Sequence, residues 1–145
     1  MNREFEVNRL AADYAEHGAV VIRGALDIEQ LERAAAGIEQ VLDHPSPLAV
    51  TASHPDDPGR FVEDFRRWQS VPDIESLALD PSLGALAARL MESTTARLYH
   101  DHVLVKEAGT RQRTPWHQDL PYFNIDGFQN VSFWIPVDRV PLDGS

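Results

Sequence analysis

Apolar residues at Val7, Leu10, Ala11, Tyr14 and Ala15 recur at the spacing that lines one face of a helix, and Gly18 stands where such a helix ends. The run 19–23, Ala-Val-Val-Ile-Arg, predicts a short strand. Asp27 and Gln30 have the spacing of a capping box, which predicts a helix from there to about Leu42. Residues 43–59 contain Pro45, Pro47, Pro55 and Pro58 among Asp and Ser, and predict a loop. Short amphipathic helices are expected over 61–68 and 72–79. Asp80 followed by Pro81 marks the start of another helix, running to about Glu92.

After Ser93 the period changes from helical to alternating. Over 95–106, Arg97, Tyr99, Asp101, Val103 and Val105 share one face of a predicted strand, while Ala96, Leu98, His100, His102, Leu104 and Lys106 share the other. A polar loop covers 109–115, and 116–120 reads as short and extended. Asp126-Gly127 reads as a turn. A second strand is predicted over 130–138, with Val131, Phe133, Ile135 and Val137 opposite Ser132 and Trp134. Helices followed by antiparallel strands predict an α+β chain, mainly helical over 1–94.

Composition narrows the chemistry. The 145 residues are 43% hydrophobic, enough for one domain with a core. The chain has no cysteine, which removes disulfides, thiolate metal sites and cysteine nucleophiles, so any metal site must use histidine and carboxylates. A net charge of −10, from 23 acidic against 13 basic residues, argues against nucleic acid or an anionic membrane as partner. No apolar run approaches the roughly 20 residues that span a bilayer. The first residues are charged and carry no signal-peptide pattern, so a soluble cytoplasmic protein is the expectation.

Three groupings of histidine and carboxylate could bind metal. His117 and Asp119 are two apart; on extended backbone their side chains point the same way and could grip one ion, supplying two corners of a 2-His-1-carboxylate site. Trp116, Pro121, Tyr122 and Phe123 surround them and could exclude water. The bland reading is a surface loop carrying a capped histidine and a solvated aspartate. His54-Pro55-Asp56 has the same spacing in the proline-rich loop, where nothing would hold it rigid. The third grouping is His100, His102 and Glu107, which is similar to the half-motif of cupin metal sites but lacks its flanking glycines; alternatively both histidines are partly buried polar residues of a sheet face.

The stretch "TPWHQDLPYF", followed by "SFWIPVDRVPLDGS", resembles the phytanoyl-CoA dioxygenase family of Fe(II)/2-oxoglutarate oxygenases, and "AEHGAVVIRGAL" and "VLVKEAGT" fit the same family. The resemblance implies a double-stranded β-helix, a cupin-like jelly roll whose first part is buttressed by N-terminal helices. It implies Fe(II) on His117 and Asp119, with 2-oxoglutarate as co-substrate and O₂ and a small organic molecule as partners. It also implies 2-oxoglutarate contacts at His102 and Trp134, with Lys106 and Tyr122 as weaker counterparts. Tyr122 would otherwise be a core aromatic, and Lys106 a solvated strand-end charge. The family's second histidine ligand and its 2-oxoglutarate arginine lie further downstream, and His17, His44 and His54 precede the barrel strands. Residues 1–145 are therefore expected to be the N-terminal portion of a single, truncated dioxygenase domain, with 95–145 as its first jelly-roll strands and little turnover alone. A carboxylate at 119 favours hydroxylation over halogenation. A cupin-type metal protein and a non-catalytic binding domain remain the alternatives.

Overall fold

In the computed structural model, which describes residues 3–140 and side chains from Asn8 onward, the chain divides into two units. One comprises residues 28–78 and 99–116 with the chain from 136; the other comprises the chain to 27, 79–98 and 117–135. The end of the second quoted motif, from Pro141, lies outside the described residues.

The first unit is built on a three-stranded antiparallel sheet in the order β1 (Val50–Thr51), β2 (Phe61–Phe65), β3 (His102–Lys106). Phe61 pairs with Lys106, Asp64 with Val103 and Phe65 with His102. Helices α2 (Ile28–Asp43) and α3 (Pro72–Ala78) pack together, and Val41, Val71, Ile74 and Val103 form the core with Ile38, Trp68 and Val105 against it. The helices approach closely because Gly37 has no side chain: a Cβ there would sit 2.9 Å from Cδ1 of Ile74. Asp73, in the first turn of α3, accepts from Arg33 Nε at 3.3 Å and Gln40 Nε2 at 3.0 Å, fixing the same helix pair by polar contacts.

Asp64 has 0% of its surface exposed, in the central strand. Burial opposes its ionisation, yet hydrogen bonds from the Ser46 hydroxyl, the Ser46 N–H at 2.8 Å and the Phe65 N–H at 2.8 Å, with the Arg67 charge, hold its carboxyl below the ordinary range. Arg67, itself buried, has Nε 3.5 Å from Asp64 and donates from Nη2 to the His44 carbonyl at 2.9 Å. One carboxylate thus joins the end of α2, the proline-rich loop, β2 and the 3-10 turn Arg67–Gln69.

The second unit holds α1 (Arg3–His17) against α4 (Pro81–Leu90). Gly18 at φ +74° ends α1, its N–H donating to Tyr14 O at 2.8 Å. Asp80 caps α4, accepting from Ser82 N at 2.7 Å, and Pro81 follows. Leu83, Ala87, Ala88 and Leu90 are the buried residues of α4. The segment 129–130 is tied to the helices by Gln129 Nε2 on the Met91 carbonyl at 3.0 Å and by the Tyr14 hydroxyl on the Asn130 carbonyl at 3.3 Å. No helix among the described residues is long and apolar enough to cross a membrane.

The structure departs from the sequence expectations in five stretches. Residues 61–65 are a strand and not the start of a helix over 61–68; ladders on both sides outweigh the local amphipathic pattern. The expected loop 43–59 contributes β1. Only 102–106 of the strand expected over 95–106 pairs, because the partner strand β2 ends at Phe65: Arg66 adopts φ 60°, and the N–H groups of Arg67 and Trp68 donate to the Asp101 carboxylate at 3.0 and 3.2 Å. The runs 19–23 and 130–138 have no ladder partner among the described residues and are not strands there.

Removing one partner of a buried ion pair leaves the other charge uncompensated. Asp64→Ala is expected to lower unfolding stability by about 3 kcal/mol, read as a lower urea midpoint. Since the folded carboxyl is depressed, its contribution is fully present above about pH 4 and is lost as pH falls through the folded value. The variant's stability deficit should therefore shrink in acid; a deficit independent of pH would contradict the assignment.

Candidate metal centre

The chain reaches the His117 segment from the end of β3. There Glu107 accepts from Arg60 Nε at 3.0 and 3.1 Å, from Arg60 Nη2 at 2.5 Å and from the Arg60 N–H at 2.8 Å. The hydrogen bonds from Arg60 hold the Glu107 carboxyl below its ordinary range, and the same contacts push the guanidinium up. Gly59 lies so close to the Ala108 carbonyl that a Cβ would be 2.3 Å from its oxygen. Asp57 accepts from the Arg111 N–H at 3.0 Å. The loop before β2 therefore clasps the residues immediately after β3.

His117 and Asp119 lie in the other unit, outside any strand. Asp119 has φ −76° and ψ −32°, helical values, and precedes the 3-10 turn Leu120–Tyr122. Pro121 suits this turn with its fixed φ, and the Tyr122 N–H donates to Asp119 O at 2.9 Å. The Asp119 carboxylate makes no capping bond to the turn. It lies instead with Oδ1 3.2 Å from His117 Nε2. Strand alternation was the expected reason for the two side chains to converge; the turn is the actual one. The side chains are 38% and 47% exposed. Tyr122 returns from the turn to stand edge-on to the imidazole, 82° between planes and 6.0 Å between centroids.

The donor chemistry fits a divalent ion. Two adjacent ligands at about 2.1 Å and a right angle are about 3.0 Å apart, close to the separation found here. The same separation also serves a hydrogen bond or ion pair. His54 and Asp56 show why spacing alone is insufficient. Their Nδ1–Oδ2 separation is 3.5 Å, but Nδ1 accepts from the Asp56 N–H at 3.2 Å and both groups are more exposed than His117 and Asp119.

His102 stacks on its cross-strand partner Phe65 at 4.1 Å, with Nε2 3.9 Å from Glu63, and His100 stacks on the same ring at 6.2 Å. Lys106 places Nζ 5.0 Å over Phe61. Trp134 belongs to the unit of His117 and is largely exposed. The cupin-like set is corrected: Glu107 is taken by Arg60, and among the described residues no three His, Asp or Glu groups are placed to hold a metal. Of the residues expected to exclude water, Trp116, Pro121 and Tyr122 are exposed and Phe123 is half-buried. Sequence reading missed the Arg60–Glu107 clasp, whose only local signal is an opposite-charge pair 47 residues apart, and the capping role of Asp101.

Residues 14–144 match the family model of phytanoyl-CoA dioxygenase, and the chain belongs to that family, whose enzymes use Fe(II) and 2-oxoglutarate. Its fold is similar to that of two crystal structures of the non-haem, α-ketoglutarate-dependent epimerase SnoN from nogalamycin biosynthesis, one of them in complex with Fe3+, α-ketoglutarate and a nogalamycin compound. The TM-scores are 0.54 for that complex and 0.53 for the other, each at 24% identity over 62% of this chain. The chain spans about a third of the length of those structures, covering 34% of each. No curated protein matches it.

Cutting the clasp should loosen the chain beyond β3. Arg60→Ala is expected to speed amide hydrogen exchange at Thr110 and Arg111 while leaving α2 and α3 protected. Unchanged exchange at these two amides would show that the clasp holds nothing.

Proposed function

We propose that this chain is the iron-binding part of a non-haem Fe(II)/2-oxoglutarate-dependent dioxygenase that hydroxylates a small organic molecule, with His117 and Asp119 as two of its protein ligands. The observation that carries the reading is the 3.2 Å approach of His117 Nε2 to Asp119 Oδ1 inside a family-matched segment. Further ligation, a histidine in this reading, comes from outside the described residues, as does the completion of the jelly roll. When bound, the ferrous ion and 2-oxoglutarate supply the oxidising chemistry that acts on a substrate C–H bond.

The residues of this chain have simpler tasks. His117 would offer an imidazole nitrogen and Asp119 a carboxylate oxygen to the ion. With only these two groups supplied by the described residues, the ion would have room for the co-substrate and O₂. A carboxylate at 119 occupies a position that halogenating relatives leave to halide, which supports hydroxylation. The acidic chain favours a substrate that is not a polyanion. His102 and Trp134 are carried as contacts of 2-oxoglutarate.

The whole protein, supplied with Fe(II), 2-oxoglutarate and O₂, should form succinate and a product one oxygen atom heavier than its substrate. His117→Ala and Asp119→Ala should each abolish succinate formation, whereas His102→Ala and Trp134→Ala should raise KM for 2-oxoglutarate. Turnover surviving both ligand substitutions would end the proposal, and a product isomeric with the substrate would replace hydroxylation by epimerisation. In a Co(II) titration of the 145-residue chain, His117→Ala should lose the ion and His100→Ala keep it; the opposite result would restore the cupin reading.

A further inference from the structure

We propose that Tyr122 is a positioning residue for His117, setting the imidazole so that Nε2 faces the Asp119 carboxylate; the inference rests on the metal-binding reading of that pair and names the group that holds it ready. A histidine on irregular backbone would ordinarily sample several side-chain rotamers, and its nitrogen would meet Asp119 only part of the time. Here the chain supplies a constraint within five residues. Asp119 opens the 3-10 turn with helical angles, Pro121 stiffens it, and Tyr122 N–H to Asp119 O and Phe123 N–H to Leu120 O, at 2.9 and 3.1 Å, close it. The turn carries the phenol ring back to stand perpendicular to the imidazole, 6.0 Å between centroids. Perpendicular contact is a favoured aromatic geometry, in which the positive edge of one ring meets the negative face of the other.

The sequence pattern suggests a core aromatic at this position, but Tyr122 is 75% exposed. A residue so placed contributes little to a hydrophobic core, and its ring stands instead against the imidazole of His117. Metal-bound histidines depend on outer groups to fix ring orientation, commonly through a hydrogen bond. At His117 the edge contact of Tyr122 is one such outer group. The ring and not the hydroxyl does the positioning.

The test uses the 145-residue chain, Co(II) alone as probe, and the ring protons of His117 in the metal-free state. Tyr122→Leu should remove the ring-current shift on the His117 Cε1 proton and weaken Co(II) binding about threefold to tenfold, with the far-ultraviolet circular dichroism unchanged. Tyr122→Phe should keep the shift and bind Co(II) within about twofold of the parent, given an interaction of the ring alone. If Tyr122→Leu leaves both the proton shift and the affinity in place, or if Tyr122→Phe loses as much affinity as Tyr122→Leu, the positioning role is overturned. His117→Ala separates this failure from a deeper one. Co(II) lost in His117→Ala but undisturbed in Tyr122→Leu overturns only the role of Tyr122, whereas Co(II) retained in His117→Ala overturns the metal-binding reading itself.

Discussion

A carboxylate removed from water in the middle strand of a three-stranded sheet organises the larger unit of this protein. Asp64 can stay ionised there only because Ser46, the Phe65 amide and Arg67 converge on it, and each of those partners brings a different stretch of chain. Ser46 brings the proline-rich loop, and Arg67 brings the 3-10 turn while also satisfying the last carbonyl region of α2 through His44. An arrangement of this kind contributes little net attraction against an apolar alternative, since both charges lose their hydration. Its importance lies in the alternatives it forbids. A one-residue slip of β2 against β3 would turn Asp64 to the opposite face, away from Ser46, so the register that pairs Phe61 with Lys106 is the one that keeps this carboxylate buried with that donor.

From that register the order passes along the backbone. β3 ends where Glu107 meets Arg60, Gly59 admits the Ala108 carbonyl, and Asp57 takes the Arg111 amide. The polypeptide is thus held as far as Arg111, six residues before the candidate ligand at His117. Beyond it the constraint becomes local. The histidine and carboxylate meet because a short turn bends the chain at Asp119, and they remain partly exposed. A reactive iron site needs water excluded, and among the described residues the aromatic side chains of this region do not enclose one.

Membership of the phytanoyl-CoA dioxygenase family was readable from residues close together in sequence, because Trp116-His117-Gln118-Asp119 and the later Trp134-Ile135-Pro136 carry their information in fixed short spacings. Helix ends were readable for the same reason. Asp80 before Pro81 and Gly18 after His17 act within one turn of backbone. The strand at 61–65 was not, since its apolar spacing satisfies a helix equally well and only the ladders to β1 and β3 decide the matter. The cupin-like grouping failed in the opposite way. Its local spacing was suggestive, but Glu107 had a stronger partner 47 residues earlier in the chain.

The sequence by itself therefore determined the family and the ends of α1 and α4, all set by contacts spanning a few residues. Tertiary structure alone decided that 61–65 extends, that Asp64 is buried, that Glu107 is engaged by Arg60, and that Tyr122 faces His117 instead of a core. Each of these depends on where a group comes to rest in space. Distance along the chain carries no record of that until the ladders and helix contacts have formed.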